Sequence, residues 1–452
     1  MDQAKLFELP ADECEAQRAQ AAGQPRLRVA ERDQVVMRML SLDQMLPADD
    51  DARVVWDFVC QCDLSKLLEP IRAVEGNVGR DATDPRILLA LWLFATFKGV
   101  GSARELDRLC ERHLSYQWLC GDVSVNYHTL ADFRVQHGEV LDALLTEQVA
   151  ALMQAGAVTI ERVAQDGMRV RASAGKASFR KATTLEECLA EAKQLVEELR
   201  REVEADPGVA QRRQQAARKR AAEDRLERVS AAIKACAEVQ AAKEKRGGDS
   251  LKIPARASTT DPDARTMKMA NGGFNPAYNV QFSTDTDTQV IVGVEVVNQG
   301  TDAGQMAPMV DQIKDRTAVR PRDVLVDGGF ATKDDIQQVN DPEQGCKVYA
   351  PVKEEEKQRS KGQDPFAPRR GESPALAEWR TRMGTDEAKS IYQQRASTAE
   401  CVNALARQRG LQQFRVRGLA KVRAVAVLYV LAHNLGRWKA LRAGGTLTVG
   451  GR

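Results

Sequence analysis

Apolar positions recur along this chain with changing periods, and the changes mark its divisions. Short helices are expected over 54–78, after which Asp84-Pro85 opens a strongly apolar helix, RILLALWLFATFKGV, with Asp84 as its cap and proline in the first turn. Gly99 and Gly101 end it. Ser102 starts another helix, with Leu106 and Leu109 on one face and Arg104 and Arg108 on another. A turn at 123–127 leads into a further helical stretch carrying Arg134 and His137. Helix, turn, helix with basic residues on the second helix is a shape that can dock on DNA. A plain helical bundle with a solvated basic face has the same pattern.

At Val158 the texture turns to β-branched residues in rough alternation. The stretch TIERVAQDGMRVRAS predicts a strand with Asp166 in its middle or at its end, and with Arg169 and Arg171 on the face opposite Val170. From 184 to 246 the period is helical again. Leu185, Leu189, Ala192, Val196, Leu199 and Val203 recur at three and four, as do Leu226, Val229, Ile233 and Cys236 after the break at Asp206-Pro207-Gly208. An antiparallel coiled-coil hairpin inserted into another domain is predicted. Its basic run at 211–220 suits a DNA backbone contact or a solvated helical face.

Alternation returns at 277–282; Asp285-Thr286-Asp287 then turns the chain into QVIVGVEVVNQG, a β-hairpin. Asp302 is read as the cap of the helix that follows. The stretch RDVLVDGGF, 322–330, reads as a short buried strand that delivers Asp327 to its C-terminal end, with Gly328 and Gly329 allowing a close approach to it. Asp327 is then either a carboxylate facing a metal or phosphodiester, or the cap of the next helix, for which Thr332 is a second candidate. A helix at 333–339, a strand at 346–352, a charged mobile loop at 353–374, one helix at 386–409 and an apolar closing helix at 425–438 complete the chain.

The whole is an α/β chain: a mixed sheet with helices on its faces, interrupted by a coiled-coil insertion and preceded by an all-α region. The expected divisions are a flexible arm at 1–50, a helical domain at 51–156, the sheet domain at 157–183 and 251–440, the hairpin at 184–250, and a tail at 441–452.

Composition narrows the functions. Lys and Arg number 66 against 64 Asp and Glu, so only local clustering can argue for nucleic acid. The nine cysteines form no CxxC pair and the histidines no cluster, which sets aside a zinc site or a disulfide framework and points to a reducing, cytoplasmic setting. The longest apolar run, 424–432, falls well short of the roughly 20 residues that cross a bilayer, and the acidic N-terminal stretch lacks the pattern of a signal peptide. No membrane partner is expected.

The candidate chemistry lies in Asp166 and Asp327 on strands and Glu400 on a later helix. Three acids in one pocket repel and raise one another's pKa unless a cation neutralises them. Hard oxygen ligands select Mg²⁺ or Mn²⁺, and two such ions about 3.5–4 Å apart would clamp the attacking and leaving oxygens of an in-line phosphoryl displacement.

Tyr392-Gln-Gln-Arg395, then Glu400, then Arg407, resembles the Tyr-Arg-Glu-Lys signature of bacterial insertion-sequence transposases of the DDE class. DGMRVRAS around Asp166, VDGGF around Asp327, the C-terminal GLQQFRVRGLAKVRAVAVLYVLAHNL and the N-terminal DPRILLALWLFATFKGVGSARELDRLCERHLSYQWLCGD are also similar to that family, so the resemblance covers about residues 80–440. It implies an RNase H-like core on which Asp166, Asp327 and Glu400 are the metal-binding triad. Tyr392 and Arg395 would face the transposon end, Arg395 on a phosphate. Arg407 stands where the family usually has Lys, which keeps the charge and changes the geometry. The implied activity is metal-dependent cleavage at the element's ends followed by attack of the freed 3′ hydroxyl on target DNA. Such enzymes act in pairs, so the implied partners are the terminal inverted repeats, target DNA and a second protomer. A catalytically silent, transposase-derived DNA-binding regulator is the alternative; all three acids being present argues against it.

Overall fold

The N-terminal helices form because the sequence supplies both caps and an apolar helix for them to surround. The computed structural model describes residues 39–74, 81–205, 212–340 and 345–444, with Val35, Met37 and Gly76, and omits the side chains at 203–205 and 212–214. Most of the expected arm, the hairpin break at 206–208 and the end of the tail lie outside the described residues. From Leu42 onward the chain is one unit. Its first helices are α1 (Leu42–Met45), α2 (Asp51–Gln61), α3 (Ser65–Leu68), α4 (Pro85–Phe97), α5 (Ala103–Arg112), α6 (Leu114–Cys120), α7 (Tyr127–Gln136) and α8 (Gly138–Gln154). Asp84 caps α4 by accepting the Arg86 N–H at 2.8 Å, and every residue from Ile87 to Ala95 is buried. A helix that is apolar all round is enclosed on all sides. Trp92 fixes it to α7 by donating to the Leu130 carbonyl at 2.8 Å.

Two expectations about this region change. The stretch after the turn is two helices, parted at His137, and Arg134 is unavailable to DNA. Arg134 is 6% exposed, lies over the Trp92 ring at 4.4 Å and donates to the Gly101 carbonyl at 2.6 Å. The arginine is thus spent on packing α7 against α4.

β1 (Arg162–Arg171) is followed by β2 (Phe179–Arg180), α9 (Ala182–Ala205), α10 (Arg212–Arg246) and β3 (Ala257–Ser258). β2 and β3 pair antiparallel and close the base of the helical pair. Ion pairs Arg225–Glu191 and Arg218–Glu202 show that α9 and α10 run in opposite directions, and Leu185, Ala232, Ala235 and Cys236 bury their own small core. The chain then returns to the main sheet with β4 (Arg265–Lys268), β5 (Phe274–Asp285), β6 (Ile291–Val297), α11 (Met306–Thr317), β7 (Asp323–Leu325), α12 (Lys333–Val339) and β8 (Lys347–Tyr349). The strand order is β4-β5-β1-β7-β8, with β6 also on β5. β5 runs antiparallel to both β6 and β1, whereas β1, β7 and β8 are parallel. β7, fully buried between two neighbours, is the apolar central strand its sequence predicts.

The C-terminal part comprises α13 (Glu355–Arg359), α14 (Pro374–Met383), α15 (Asp386–Arg395), a π turn (Ala396–Glu400), α16 (Cys401–Gln408) and α17 (Leu419–Ala443). The stretch expected as one loop at 353–374 contains α13, and Glu372 near its end pairs with Arg380 at 2.5 Å, both side chains buried. α17 joins the helical and sheet regions: Gln148 of α8 donates to the Leu431 carbonyl, and the Asn434 amide both accepts from and donates to the Ile291 backbone of β6. Among the described residues α17 is the one helix long and apolar enough to cross a membrane, and it is mostly enclosed in the shared core.

Candidate active site

The parallel pairing of β1 with β7 sets the site. Arg162 lies opposite Asp323, Val163 opposite Val324 and Ala164 opposite Leu325. The ladder stops there; carried two residues further, its register would set Asp327 level with Asp166, and the Asp327 charge acts on the Asp166 carboxyl. Neighbouring strands are roughly 5 Å apart and in-register residues share a face, which accounts for the Asp327 charge reaching Asp166. Asp327 is not a helix cap. Its Oδ1 accepts the Gly329 N–H at 2.8 Å, while Thr332 caps α12 by accepting the Asp335 N–H at 3.1 Å.

The run from α15 through α16 covers Asp166. Asp166 Oδ2 accepts from Asn403 Nδ2 at 2.9 Å, its Oδ1 accepts the Gly167 N–H at 2.9 Å, and Arg395 Nη2 stands 3.5 Å from Oδ1. Arg395 Nη1 donates to Glu400 Oε1 at 3.0 Å. That last contact depends on the π turn. An α-helix advances about 100° per residue, which would leave residues five apart about 140° from alignment. The wider π turn over 396–400 restores the alignment and directs Glu400 back toward Arg395.

Successive side chains of β1 face opposite sides. Gly167 therefore faces away from Asp166, and Asp302 fills the space there. Asp302 is not the helix cap its sequence position suggests, since Gln305 precedes α11. It is 6% exposed, and its Oδ1 accepts from Asn279 Nδ2 and Gln281 Nε2, each at 2.7 Å. Its Oδ2 accepts from Arg169 Nη2 at 2.8 Å. Of the basic row expected along β1, Arg169 is spent on the buried Asp302, while Arg171 is exposed and donates to Gln413 at 3.1 Å.

Burial pushes the Asp166 carboxyl above the usual range; Arg395 opposes this, and the neighbouring Asp327 and Asp302 charges add to it. A carboxyl group raised in the folded state favours folding fully below its unfolded pKa and loses that contribution as pH rises through the folded value. Asp166→Asn is therefore expected to raise the melting temperature of the metal-free protein at about pH 8, a gain that vanishes toward about pH 3, below the ordinary Asp range. Thermal melts of both proteins across pH check it. Asn403 can accommodate the change by turning its amide, whose buried Oδ1 has no hydrogen-bond partner.

Arg395 thus joins Asp166 to Glu400, and the Asp327 charge acts on Asp166. Tyr392, half-buried one turn before Arg395, has its hydroxyl pKa raised by burial and by the surrounding carboxylates. Arg407 is exposed, two turns beyond Glu400. Among the described residues no group of three or more acidic, His or Cys side chains is gathered closely enough to hold a metal ion, and Arg395 lies between Asp166 and Glu400. Two residues of the site were not singled out as such from the sequence. Asn403, three residues after Glu400, carried a helical-spacing signal; Asp302 carried none beyond its acid.

Residues 249–435 match the family model of a transposase DDE domain, and residues 40–136 match that of a transposase domain (DUF772). Together they span more than half of the chain. Asp327, Tyr392, Arg395, Glu400 and Asn403 fall inside the first span, while Asp166 precedes it, separated by the α9–α10 hairpin. No curated protein and no solved structure matches the chain.

Proposed function

Because this chain belongs to the DDE-class transposases of insertion-sequence type, we propose that it binds the ends of its element and catalyses metal-dependent strand cleavage and 3′-hydroxyl strand transfer. The observation that carries this reading is that Asp166 feels the charge of Asp327 and is bridged to Glu400 by Arg395. We read the β6-β5-β1-β7-β8 sheet as an RNase H-like core occupying 157–183 and 251–440. The 51–156 helices are a DNA-binding-type domain. The 184–250 hairpin is a coiled-coil insertion that pairs protomers into a homodimer or holds DNA.

DDE transposases generally use divalent metal ions. The residues here fit such an ion in kind: Asp166, Asp327 and Glu400 offer hard carboxylate oxygens, and Asn403 adds a buried, unpartnered amide oxygen. Two Mg²⁺ or Mn²⁺ ions are the proposed cofactor, supplying charge neutralisation and activation of the attacking hydroxyl when bound. The chain's own groups prepare the place. Asn403 and the Gly167 N–H fix both oxygens of Asp166, and the Gly329 N–H fixes one oxygen of Asp327. Water attacks the phosphorus at the element's end and the bond to the 3′ oxygen breaks; that freed 3′ hydroxyl then attacks target DNA in the same in-line way. Tyr392, Arg395 and Arg407 are the proposed DNA contacts.

Binding to a duplex copied from the DNA flanking the gene, against a scrambled duplex of equal length, tests the reading. Tighter binding to the flanking sequence is expected. Equal binding, with no cutting in Mg²⁺ or Mn²⁺, would remove the support for it. Arg407→Ala should weaken binding and reduce the slope of log affinity against log salt by about 0.9, the share of one phosphate contact. Anisotropy titrations over a salt series measure this, and an unchanged slope takes Arg407 out of the interface.

A further inference from the structure

Arg395 is assigned above to a DNA phosphate, yet its guanidinium is turned inward. It is only 12% exposed and bridges Asp166 Oδ1 at 3.5 Å and Glu400 Oε1 at 3.0 Å. A guanidinium carries five N–H donors in a planar fork. Here one donor makes a close hydrogen bond to Glu400, a second is held loosely by Asp166, and the buried Nε has no partner. The arginine supplies positive charge between two carboxylates while leaving its own hydrogen-bonding capacity largely unused.

We propose that Arg395 is an exchangeable internal cation that closes the metal site in the DNA-free protein and is withdrawn by a phosphate of the bound DNA strand. This rests on the transposase reading of the site. A divalent ion shared by Asp166 and Glu400 would stand where the guanidinium now stands, and two cations in one small pocket repel. Arg395 has somewhere better to go, because a phosphate accepts two parallel N–H bonds from the guanidinium fork. The chain also has a place to move. Arg395 ends α15 at the start of the π turn, and such turns interrupt the regular i→i−4 ladder. Withdrawal of Arg395 frees Asp166 and Glu400 together, so DNA binding and metal loading become coupled, and cleavage competence waits for DNA.

Mn²⁺ binding to the full chain, followed by the electron paramagnetic resonance signal of free Mn²⁺, tests this without relying on activity. Without DNA, Arg395→Gln should bind Mn²⁺ more tightly than wild type, by the 5–150-fold typical of coupled sites, about one order of magnitude at the centre. Arg395→Lys, which keeps the charge but loses the fork, should fall between them and serves if the glutamine variant does not fold. Adding a duplex of the flanking DNA should tighten Mn²⁺ binding to wild type and leave Arg395→Gln unchanged, because the coupling is reciprocal. Asp166→Asn should weaken Mn²⁺ binding in every case. Equal affinity in wild type and Arg395→Gln, with loss in Asp166→Asn, overturns the internal cation and leaves the metal site standing. Affinity indifferent to Asp166→Asn overturns the metal site itself, and the active-site reading with it.

Discussion

Replacing Asp327 by asparagine is expected to slow strand cleavage by roughly a thousandfold or more, the rate equivalent of the several kcal/mol that a bound metal contributes. DNA binding should survive. The amide oxygen of asparagine can still accept the Gly329 N–H that now bonds Asp327 Oδ1 at 2.8 Å, so the turn after β7 keeps its shape. What is lost is the negative charge beside Asp166. The same change should lower the Asp166 pKa, because the Asp327 charge is one of the influences that raise it. Nicking rates and gel-shift affinities of the two proteins on one duplex separate the effects. A variant that cuts at the wild-type rate would remove Asp327 from the chemistry.

Gly167→Ala is expected to be the most damaging small substitution in β1. A Cβ there would lie 2.1 Å from Asp302 Oδ1, 2.5 Å from Gln281 Nε2 and 2.8 Å from Asn279 Oδ1. None of these can yield cheaply. Asp302 is held by Asn279, Gln281 and Arg169, and moving it leaves buried polar groups without partners. Overpacking of this kind costs about 1–3 kcal/mol, and here the strand that must shift to relieve it carries Asp166. Chemical denaturation should show that loss of stability, and Mn²⁺ binding should weaken with it. If the alanine variant is as stable as wild type and binds Mn²⁺ equally, Asp302 does not constrain β1 from below.

Much of this arrangement could be read from local sequence. Asp84 and Ser102 cap their helices, the 285–287 turn closes its hairpin, and β7 is the apolar strand that carries Asp327 to its end. Each depends on residues close in sequence, where cap chemistry and hydrophobic period act directly. Arg134 was misleading for the opposite reason. Nothing near it in sequence says that Trp92, on another helix, will take its guanidinium. Asp302 misled in the same way, since an acid just before a helix looks like a cap until β5 brings Asn279 and Gln281 against it from elsewhere in the chain.

The candidate site was legible as residue types and not as geometry. Asp166, Asp327 and Glu400 stand out as acids on the right kinds of element, but their alignment comes from the register of β1 on β7 and from the π turn. A one-residue change in helical winding is invisible to a pattern of apolar positions. So is the partner of Arg395, because an arginine on a polar face reads equally well as bound to a phosphate or to its own protein's carboxylates.

The measurement that bears most directly on the central claim is cleavage of a duplex spanning the junction between the element and its flanking DNA. It compares the full chain in Mn²⁺ and in EDTA with Asp327→Asn under the same conditions. Wild type should cut at the junction in Mn²⁺ and not in EDTA, and Asp327→Asn should cut in neither. Cutting that persists in EDTA, or that Asp327→Asn retains, would contradict the claim.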